Sequence, residues 1–593
     1  PPPLAGRAAA ARSSSRSLGS AALSLARARF HEDTMLQAAL RRAVRRPARA
    51  ASTWVVDDPY TGETFAEFGV DDETGAVAQI RKARDAQRTW FEETTVADRA
   101  AVCAKFLDAL EADVDATSAD ITGSMGKPLQ QSRGEVFGCR ERAEAMMALA
   151  PDALAPEAPP GPPGIARELR HDPVGVVLCV GPWNFPLLTA VNALVPAVLA
   201  GNAFALKPSP RTPGAADALA RAFVKAGAPE GLVTSLRCDH DAVAACVSEP
   251  GVGHVVFTGS VAGGRAVYGE VAARRFIGAT LELGGKDAAY VAADADPAAA
   301  AAALVDGACY NAGQSCCAIE RAYVHASIYD DFVAAAAEAV GAYTLGDPRD
   351  DSTTMGPMAL PGAPGFIDSQ IADATAKGAR LVVGGGATSD EAGNGRFSRP
   401  ALLADCDETM RAMSEETFGP LLACAPVADE HEAVKRMNDS AYGLSAAVYT
   451  DDKALATWMS RRGDRRGSHP SVGPDLTGCS GDRSGLDRMF RRSVRTRQDV
   501  QAVGSDSTGC SGGRSGFDRT FWTTLRTTLD VWYPRRRRRG HVLPEPLRLP
   551  GPVPGVDRRQ GLGLWRVAVS ARVPGRHAAA EFPCSRVTEF WSF

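Results

Sequence analysis

Three short segments of the 593-residue chain carry side chains suited to acyl-group chemistry. Asn311-Ala-Gly313-Gln314-Ser-Cys316-Cys317 puts a thiol in a polar, glycine-containing turn. Such a thiol is a nucleophile where exposure and its surroundings favour the thiolate, and an inert core residue where they do not. Leu281-Glu282-Leu283-Gly284-Gly285-Lys286 sets a carboxylate beside a glycine pair that allows another chain or a ligand to approach. That carboxylate is either a general base or a charge at a strand end. Gly181-Pro-Trp183-Asn184-Phe-Pro186 holds a side-chain amide on a proline-flanked turn. The amide either donates to a developing oxyanion or satisfies its own backbone.

Two other segments have the residue types of a nucleotide site. Gly201-Asn-Ala-Phe-Ala-Leu-Lys207-Pro-Ser209 is an apolar strand ending in a cation that reaches either ribose and phosphate oxygens or solvent. Phe257-Thr-Gly259-Ser260, with Gly263 and Gly264 behind it, follows a β-rich run; strand, small residues and helix in that order let backbone approach a diphosphate, although the spacing is not GxGxxG.

The elements that must position these segments lie between residues 53 and 462, where helical and strand-like stretches alternate as in an α/β protein. Thr95 to Asp120 and Pro297 to Val305 read as helix, and Val174 to Val180, His254 to Phe257, Ala288 to Val291 and Arg380 to Val383 as buried strands. Pro156 to Pro163 is a linker or an excursion from the fold. The uncharged stretch Pro173 to Leu206 is long enough to raise a membrane span, but Pro182, Asn184, Pro186, Asn192 and Pro196 suit strand, turn and short helix instead.

Composition is that of a globular chain, 45% hydrophobic and 23% charged, which excludes fibrous, disulfide-scaffold and wholly disordered classes. The thirteen cysteines show no paired metal-site spacing, so no metal is expected. The ends differ from the middle. Residues 1 to 52 are rich in Ala, Arg and Ser, and the acid-poor run from Met35 reads as an organelle transit peptide, mitochondrial or other, or as a disordered extension. Residues 463 to 593 hold 23 Arg, no Lys and 12 acids, a net of +11 in a chain whose total is −4. There VGPDLTGCSGDRSGLDRMF recurs 31 residues later as VGSDSTGCSGGRSGFDRTF, and Arg535 to Arg539 form a basic run. A mostly disordered tail is expected, with no nucleic-acid partner.

The ordered set of motifs resembles the aldehyde dehydrogenase superfamily, NAD(P)-dependent and non-acylating, and the match continues through Glu415-Glu416-Thr-Phe418-Gly-Pro420 and Asn438-Asp-Ser-Ala-Tyr-Gly443-Leu444. Gly-Gln-x-Cys placed 34 residues after Glu282 is specific to that family. The resemblance implies a Rossmann-like dinucleotide-binding domain (53–157 and 173–281), an α/β catalytic domain (282–462), and a small β arm for oligomerisation that includes 158–172. It implies Cys316 as the nucleophile forming a thiohemiacetal and then a thioester, Asn184 with the Cys316 N–H as oxyanion hole, and Glu282 as the base that activates water. For the dinucleotide it implies Lys207 and Glu416 at the riboses, Phe418 and Trp183 at the nicotinamide end, and Ser209, Gly259, Ser260, Gly264 and Leu283 along the rest. The implied cofactor is NAD or NADP, with NAD favoured; the implied partners are an aldehyde substrate and further copies of the chain, as a dimer or tetramer.

Three departures qualify this. Pro210 stands where many NAD-preferring relatives have Glu, so the 2′-hydroxyl clamp is absent. Ala193 replaces a Lys that many relatives carry nine residues after Asn184, which removes any proton relay through that amine. Beyond Arg462 the family's substrate loop and oligomerisation strand are not legible. Codons for Leu543 to Pro552, read one nucleotide later, can yield a segment resembling that loop. A mis-spliced or frameshifted origin for residues 463 to 593, and with it a catalytically dead product, is the alternative to an active dehydrogenase.

Overall fold

The computed structural model describes residues 52–161, 164–462 and 494–496. The expected transit segment up to residue 51, the repeated motifs and the basic run lie outside the described residues. No helix among the described residues is long and apolar enough to cross a membrane.

Two small strands, β1 (Ser52–Asp57) and β2 (Thr64–Val70), pair with each other ahead of a helical layer. That layer comprises α1 (Glu73–Glu93), α2 (Val96–Ala112), α3 (Val114–Met125) and α4 (Leu129–Ala153). Local chemistry sets the starts: the Asp72 carboxylate accepts the Gly75 N–H, and Thr95 and Asp98 form a reciprocal capping box. The single helix expected over Thr95 to Asp120 is instead two. The break falls at Asp113 (φ −102°, ψ 19°), a weak helix former followed by β-branched Val114.

The first large sheet is five-stranded and wholly parallel, in the order β5-β4-β3-β6-β7. Its strands are β3 (Val176–Val180), β4 (Ala203–Lys207), β5 (Val233–Ser235), β6 (Val252–Thr258) and β7 (Gly278–Glu282). The connecting helices are α5 (Leu188–Leu199), α6 (Pro213–Lys225), α7 (His240–Ser248) and α8 (Val261–Arg274). The uncharged stretch from Pro173 is therefore strand, turn, helix and strand, because its prolines and Asn184 interrupt any continuous helix. β4 and β6 flank β3 on opposite sides, so the winding reverses there, and the carboxyl ends of β3 and β6 open a crevice of the kind that binds nucleotides in such sheets.

β7 runs through Leu283–Lys286 directly into β8 (Asp287–Val291) of the second sheet. That sheet is ordered β10-β13-β14-β9-β8-β15-β16. Its other strands are β9 (Ile319–His325), β10 (Arg380–Val383), β13 (Ala401–Ala404), β14 (Leu421–Val427), β15 (Ala446–Thr450) and β16 (Val494–Thr496), while β11 (Ala387–Thr388) and β12 (Phe397–Ser398) form a separate antiparallel pair. Its core is Ala-rich and is covered by helices that include α9 (Pro297–Cys309), α10 (Tyr329–Gly341) and α11 (Ala363–Ala376). β10 is expected to be buried; it is an antiparallel edge strand with Arg380 and Leu381 exposed, since no strand among the described residues pairs its outer side. β16, within the stretch read as lacking the family's strands, pairs in parallel with β15. Around residues 158–172, Glu157 and Leu169 exchange backbone hydrogen bonds at 2.9 and 2.8 Å, so the Pro-rich piece begins an antiparallel excursion.

Candidate active site

The thiol segment owes its shape to three consecutive left-handed residues after α9: Asn311 (φ 56°), Ala312 (φ 54°) and Gly313 (φ 69°). A side chain at residue 313 would meet the Gly419 carbonyl at 2.2 Å, so only glycine fits between the thiol loop and the Phe418-Gly-Pro turn. Gln314 is buried and structural. Its Nε2 donates to Asn311 O at 3.1 Å, while its Oε1 accepts the Ala359 N–H at 2.9 Å.

Asn184 is brought to this loop by the turn between β3 and α5. Its Nδ2 donates to Gln314 O at 3.1 Å, and Asn311 Nδ2 returns bonds of 3.2 Å to both Asn184 O and Gln314 O. An amide NH2 has two hydrogens, so one fixes the group while the other is directed elsewhere. The turn is braced from behind by residues without local sequence signatures. Glu135 Oε1 accepts the N–H groups of Leu187 and Leu188 at 2.8 and 3.2 Å, supplying the cap that α5 lacks from its own residues. Its other oxygen pairs with buried Lys127 at 2.5 Å, and that ammonium lies 4.0 Å from the Phe185 ring centre. Gln131 accepts the Asn311 N–H at 3.0 Å.

Glu282 ends β7 at the junction between the sheets, and burial pushes its carboxyl up to about 7. The glycine pair that follows is required sterically. A Cβ at Gly285 would lie 2.0 Å from Cys316 O, and one at Gly284 would lie 2.5 Å from the Glu416 carboxylate. Glu416 Oε1 accepts the Gly285 N–H at 2.9 Å, yet burial still raises its carboxyl to about 7. Lys286 donates to Glu320 at 2.6 Å and Thr417 at 2.9 Å, and Glu320 accepts the N–H groups of Thr417 and Phe418. The glycine-pair motif and the Glu416-Thr-Phe motif are thus one interlocked unit.

The two thiols are hydrogen-bonded to each other, and Ser315 Oγ lies 3.4 Å from Cys317 Sγ. The Cys316 bond is the chief reason that the Cys317 thiol falls to about 7. Cys316 is held well above the ordinary value by that same bond, by burial, and by the charges of Cys317, Asp287 and Glu282. The anion is therefore favoured on Cys317 over Cys316.

The nucleotide candidates surround the crevice. Lys207 ends β4 only 4% exposed, its ammonium 5.3 Å from the Trp54 ring centre and without an ion pair among the described residues; burial lowers its pKa. Ser209 Oγ accepts the Arg211 N–H at 3.2 Å, and Pro210 is exposed. The Gly259 N–H reaches Glu282 O at 3.0 Å, joining the end of β6 to that of β7. Ser260 caps α8 through the Gly263 N–H at 3.1 Å. A Cβ at Gly264 would lie 2.4 Å from Leu283 Cδ2, so Leu283 packs directly on the α8 backbone. Trp183 and Phe418 meet edge to face across the crevice, with ring centres 5.5 Å apart. A buried cation with no ion pair among the described residues, small residues at strand ends and a helix N-terminus fit a dinucleotide with ribose oxygens and a negative diphosphate.

Residues 47–465 match the model of the aldehyde dehydrogenase family. The chain is 36% identical to the NADP(+) succinate-semialdehyde dehydrogenase of Deinococcus radiodurans over 447 residues, covering 74% of this chain and 92% of that protein. It is 36% identical to the 3,6-anhydro-alpha-L-galactose dehydrogenase of Streptomyces coelicolor, covering 69% and 82%. Among solved structures, the succinic semialdehyde dehydrogenase of Streptococcus pyogenes in complex with NADP+ superposes with a TM-score of 0.65 at 29% identity, over 69% of this chain and 89% of that one. The Rossmann-like sheet, the thiol loop locked to Asn184 and these similarities agree: the chain belongs to the NAD(P)-dependent aldehyde dehydrogenase family.

Proposed function

We propose that the protein oxidises an aldehyde to a carboxylic acid through a covalent intermediate on Cys316, with NADP as its coenzyme. The observation that carries this reading is the bond from Asn184 Nδ2 to Gln314 O, which ties the oxyanion donor to the backbone two residues before the nucleophile. Transfer of a proton across the Cys316–Cys317 hydrogen bond leaves the Cys316 thiolate, whose sulfur bonds to the aldehyde carbon. The carbonyl π electrons move to oxygen, and the second Asn184 N–H and the Cys316 backbone N–H donate hydrogen bonds to the oxyanion. The dinucleotide, when bound, supplies the hydride acceptor for the thiohemiacetal carbon. Glu282, ionised to about half at pH 7, then takes a proton from the water that attacks the thioester, and the acid leaves as the thiolate is restored.

Lys207 and Glu416 would hold the riboses, and Trp183 and Phe418 the nicotinamide end. Ser209, Gly259, Ser260, Gly264 and Leu283 would line the remainder. NADP replaces the NAD expected from the sequence. The names of the Deinococcus and Streptococcus relatives carry NADP, which lends no support to NAD, and Pro210 offers no carboxylate to repel a 2′-phosphate. The segment before residue 53 is read as an import sequence for the mitochondrial or another organelle matrix, and the assembly as a homo-oligomer.

The test is formation of reduced dinucleotide by the full chain with NADP and with NAD over a panel of short aldehydes. Turnover that is faster with NADP and abolished by Cys316→Ala at an unchanged melting temperature is expected. A folded wild-type chain that reduces neither coenzyme with any aldehyde would overturn the reading.

A further inference from the structure

The end of β1 is bonded to both halves of the site. The strand gives way after Asp57 to a tight turn, Asp58-Pro-Tyr60-Thr-Gly62, in which the Asp58 side chain accepts the Tyr60 N–H and its carbonyl accepts the Gly62 N–H, each at 2.8 Å. Held by that turn, the Asp57 carboxylate is shared between two guanidiniums. Its Oδ1 accepts from Arg211 Nη1, and Arg211 Nη2 donates to Asp57 O at 2.6 Å. Its Oδ2 accepts from Arg396 Nη1 at 2.5 Å. Arg211 closes the segment 207–211 assigned above to the coenzyme, and Trp54 of β1 lies beside the Lys207 ammonium. Arg396 leads the other way. Its Nε and Nη2 donate to Met358 O at 2.8 Å and to Ala359 O at 2.7 Å, and the Ala359 N–H donates to Gln314 Oε1. Gln314 O is the acceptor that fixes the Asn184 amide. An unbroken run of hydrogen bonds and short backbone pieces thus joins the coenzyme segment to the oxyanion donor, and Asp57 is its midpoint.

We propose that Asp57 is a positioning residue that holds the coenzyme segment and the thiol loop in fixed register, so that a dinucleotide bound at Lys207 and the adduct on Cys316 meet at the distance hydride transfer needs. This role rests on the dehydrogenase reading of the same site. A carboxylate has an oxygen for each partner, and its charge-assisted bonds are shorter and roughly twice as strong as neutral ones. The two cations are largely enclosed, with side chains 10% and 19% exposed, and they repel each other across it. Burial works against the charge on Asp57, but the bonds from Arg396 and Arg211 hold its carboxyl below the ordinary value, so it is ionised at neutral pH. Neutralising it does more than weaken two bonds. It leaves two like charges facing each other, and these relax by moving the 207–211 segment, the backbone at 358–359, or both.

The test compares Asp57→Asn with the wild-type full chain in two measurements, the first of which needs no turnover. Calorimetry follows binding of 2′,5′-ADP and of 5′-AMP, the adenosine ends of NADP and NAD; whichever binds the wild type better is expected to bind Asp57→Asn roughly 10-fold more weakly, in line with the loss of a charged hydrogen bond. Rapid mixing at saturating coenzyme follows the first turnover, whose rate is expected to fall about 100-fold, as for a reacting group displaced by about 1 Å. Asp57→Glu should restore part of both. Asp58→Asn weakens the pair with Arg349 on the same turn and touches no bond of this run, so it should lower the melting temperature and leave both values near those of the wild type. If Asp57→Asn does not fold, Arg396→Lys carries the test: it keeps the charge but loses the fork that reaches both carbonyls, so the first-turnover rate should fall while fragment affinity holds, and an unchanged rate overturns the proposal. A folded Asp57→Asn in which either value stays at the wild-type level, or equal losses in Asp58→Asn, also overturns it. A wild type that binds neither fragment and reduces neither coenzyme would instead overturn the dehydrogenase reading, and this role with it.

Discussion

Gly285 stands so close to Cys316 that a Cβ on it would lie 2.0 Å from the cysteine's carbonyl oxygen. This contact joins the strand that carries Glu282 to the loop that carries Cys316, and it permits no side chain at residue 285. Gly285→Ala is expected to displace the Cys316 loop and to lower kcat/KM by at least about 100-fold, because misplacement of a reacting group by about 1 Å has that effect. Steady-state kinetics beside a melting curve checks this; a folded variant with near wild-type kcat/KM would show that the contact is slack.

Glu135 anchors the Asn184 turn and neutralises buried Lys127. Removing it leaves an unpaired ammonium in the core, so Glu135→Ala should destabilise the protein by about 3–5 kcal/mol. Replacing both partners with apolar residues, Lys127→Met with Glu135→Leu, should recover most of that stability but not the activity, since the Leu187 and Leu188 N–H groups still lack their acceptor. Denaturant titrations of the three variants provide the measurement.

Cys317 accepts the hydrogen bond through which the thiol pair first ionises at about 7. In Cys317→Ala, Cys316 would have to ionise alone against burial and the charges of Asp287 and Glu282, all of which oppose an anion. The pH midpoint for alkylation of Cys316 should therefore move upward. An unchanged or lower midpoint would mean that Cys317 takes no part.

The pH dependence of turnover follows from Glu282. Its folded-state pKa, about 7, lies above the ordinary carboxylate value of 4.5, and only the ionised form can accept a proton from water. Deacylation should therefore fall as pH drops through 7. The sign for stability is opposite: the folded state holds the proton more tightly, so this residue's contribution declines as pH rises from 4.5 to about 7. Single-turnover release of acid, measured from pH 5 to 9, reads the first effect.

The parts of the site legible in the sequence are those whose partners are near in the chain or forced by glycine. Cys316 and Asn184 stand in turns and Glu282 at a strand end, each among recognisable residue types, and their order along the chain marks the family. The supports were not legible. Glu135 acts on Leu187 from 52 residues away, Gln131 on Asn311 from 180, and Lys286 on Thr417 from 131; no periodicity or local motif encodes such pairings. Asp113 split a helix that hydrophobic spacing ran together, because capping and backbone preference are weaker signals than periodicity. The exposure of β10 depends on its edge position, which is a property of the sheet and not of its four residues.

In the proposed mechanism Cys316 and Glu282 divide one reaction into two halves. Glu282→Gln separates them most directly: rapid mixing of the variant with aldehyde and NADP should give a burst of reduced dinucleotide equal to the active-site concentration, followed by turnover slowed roughly 100-fold or more. Absence of a burst from folded protein, or steady turnover at the wild-type rate, would contradict the account.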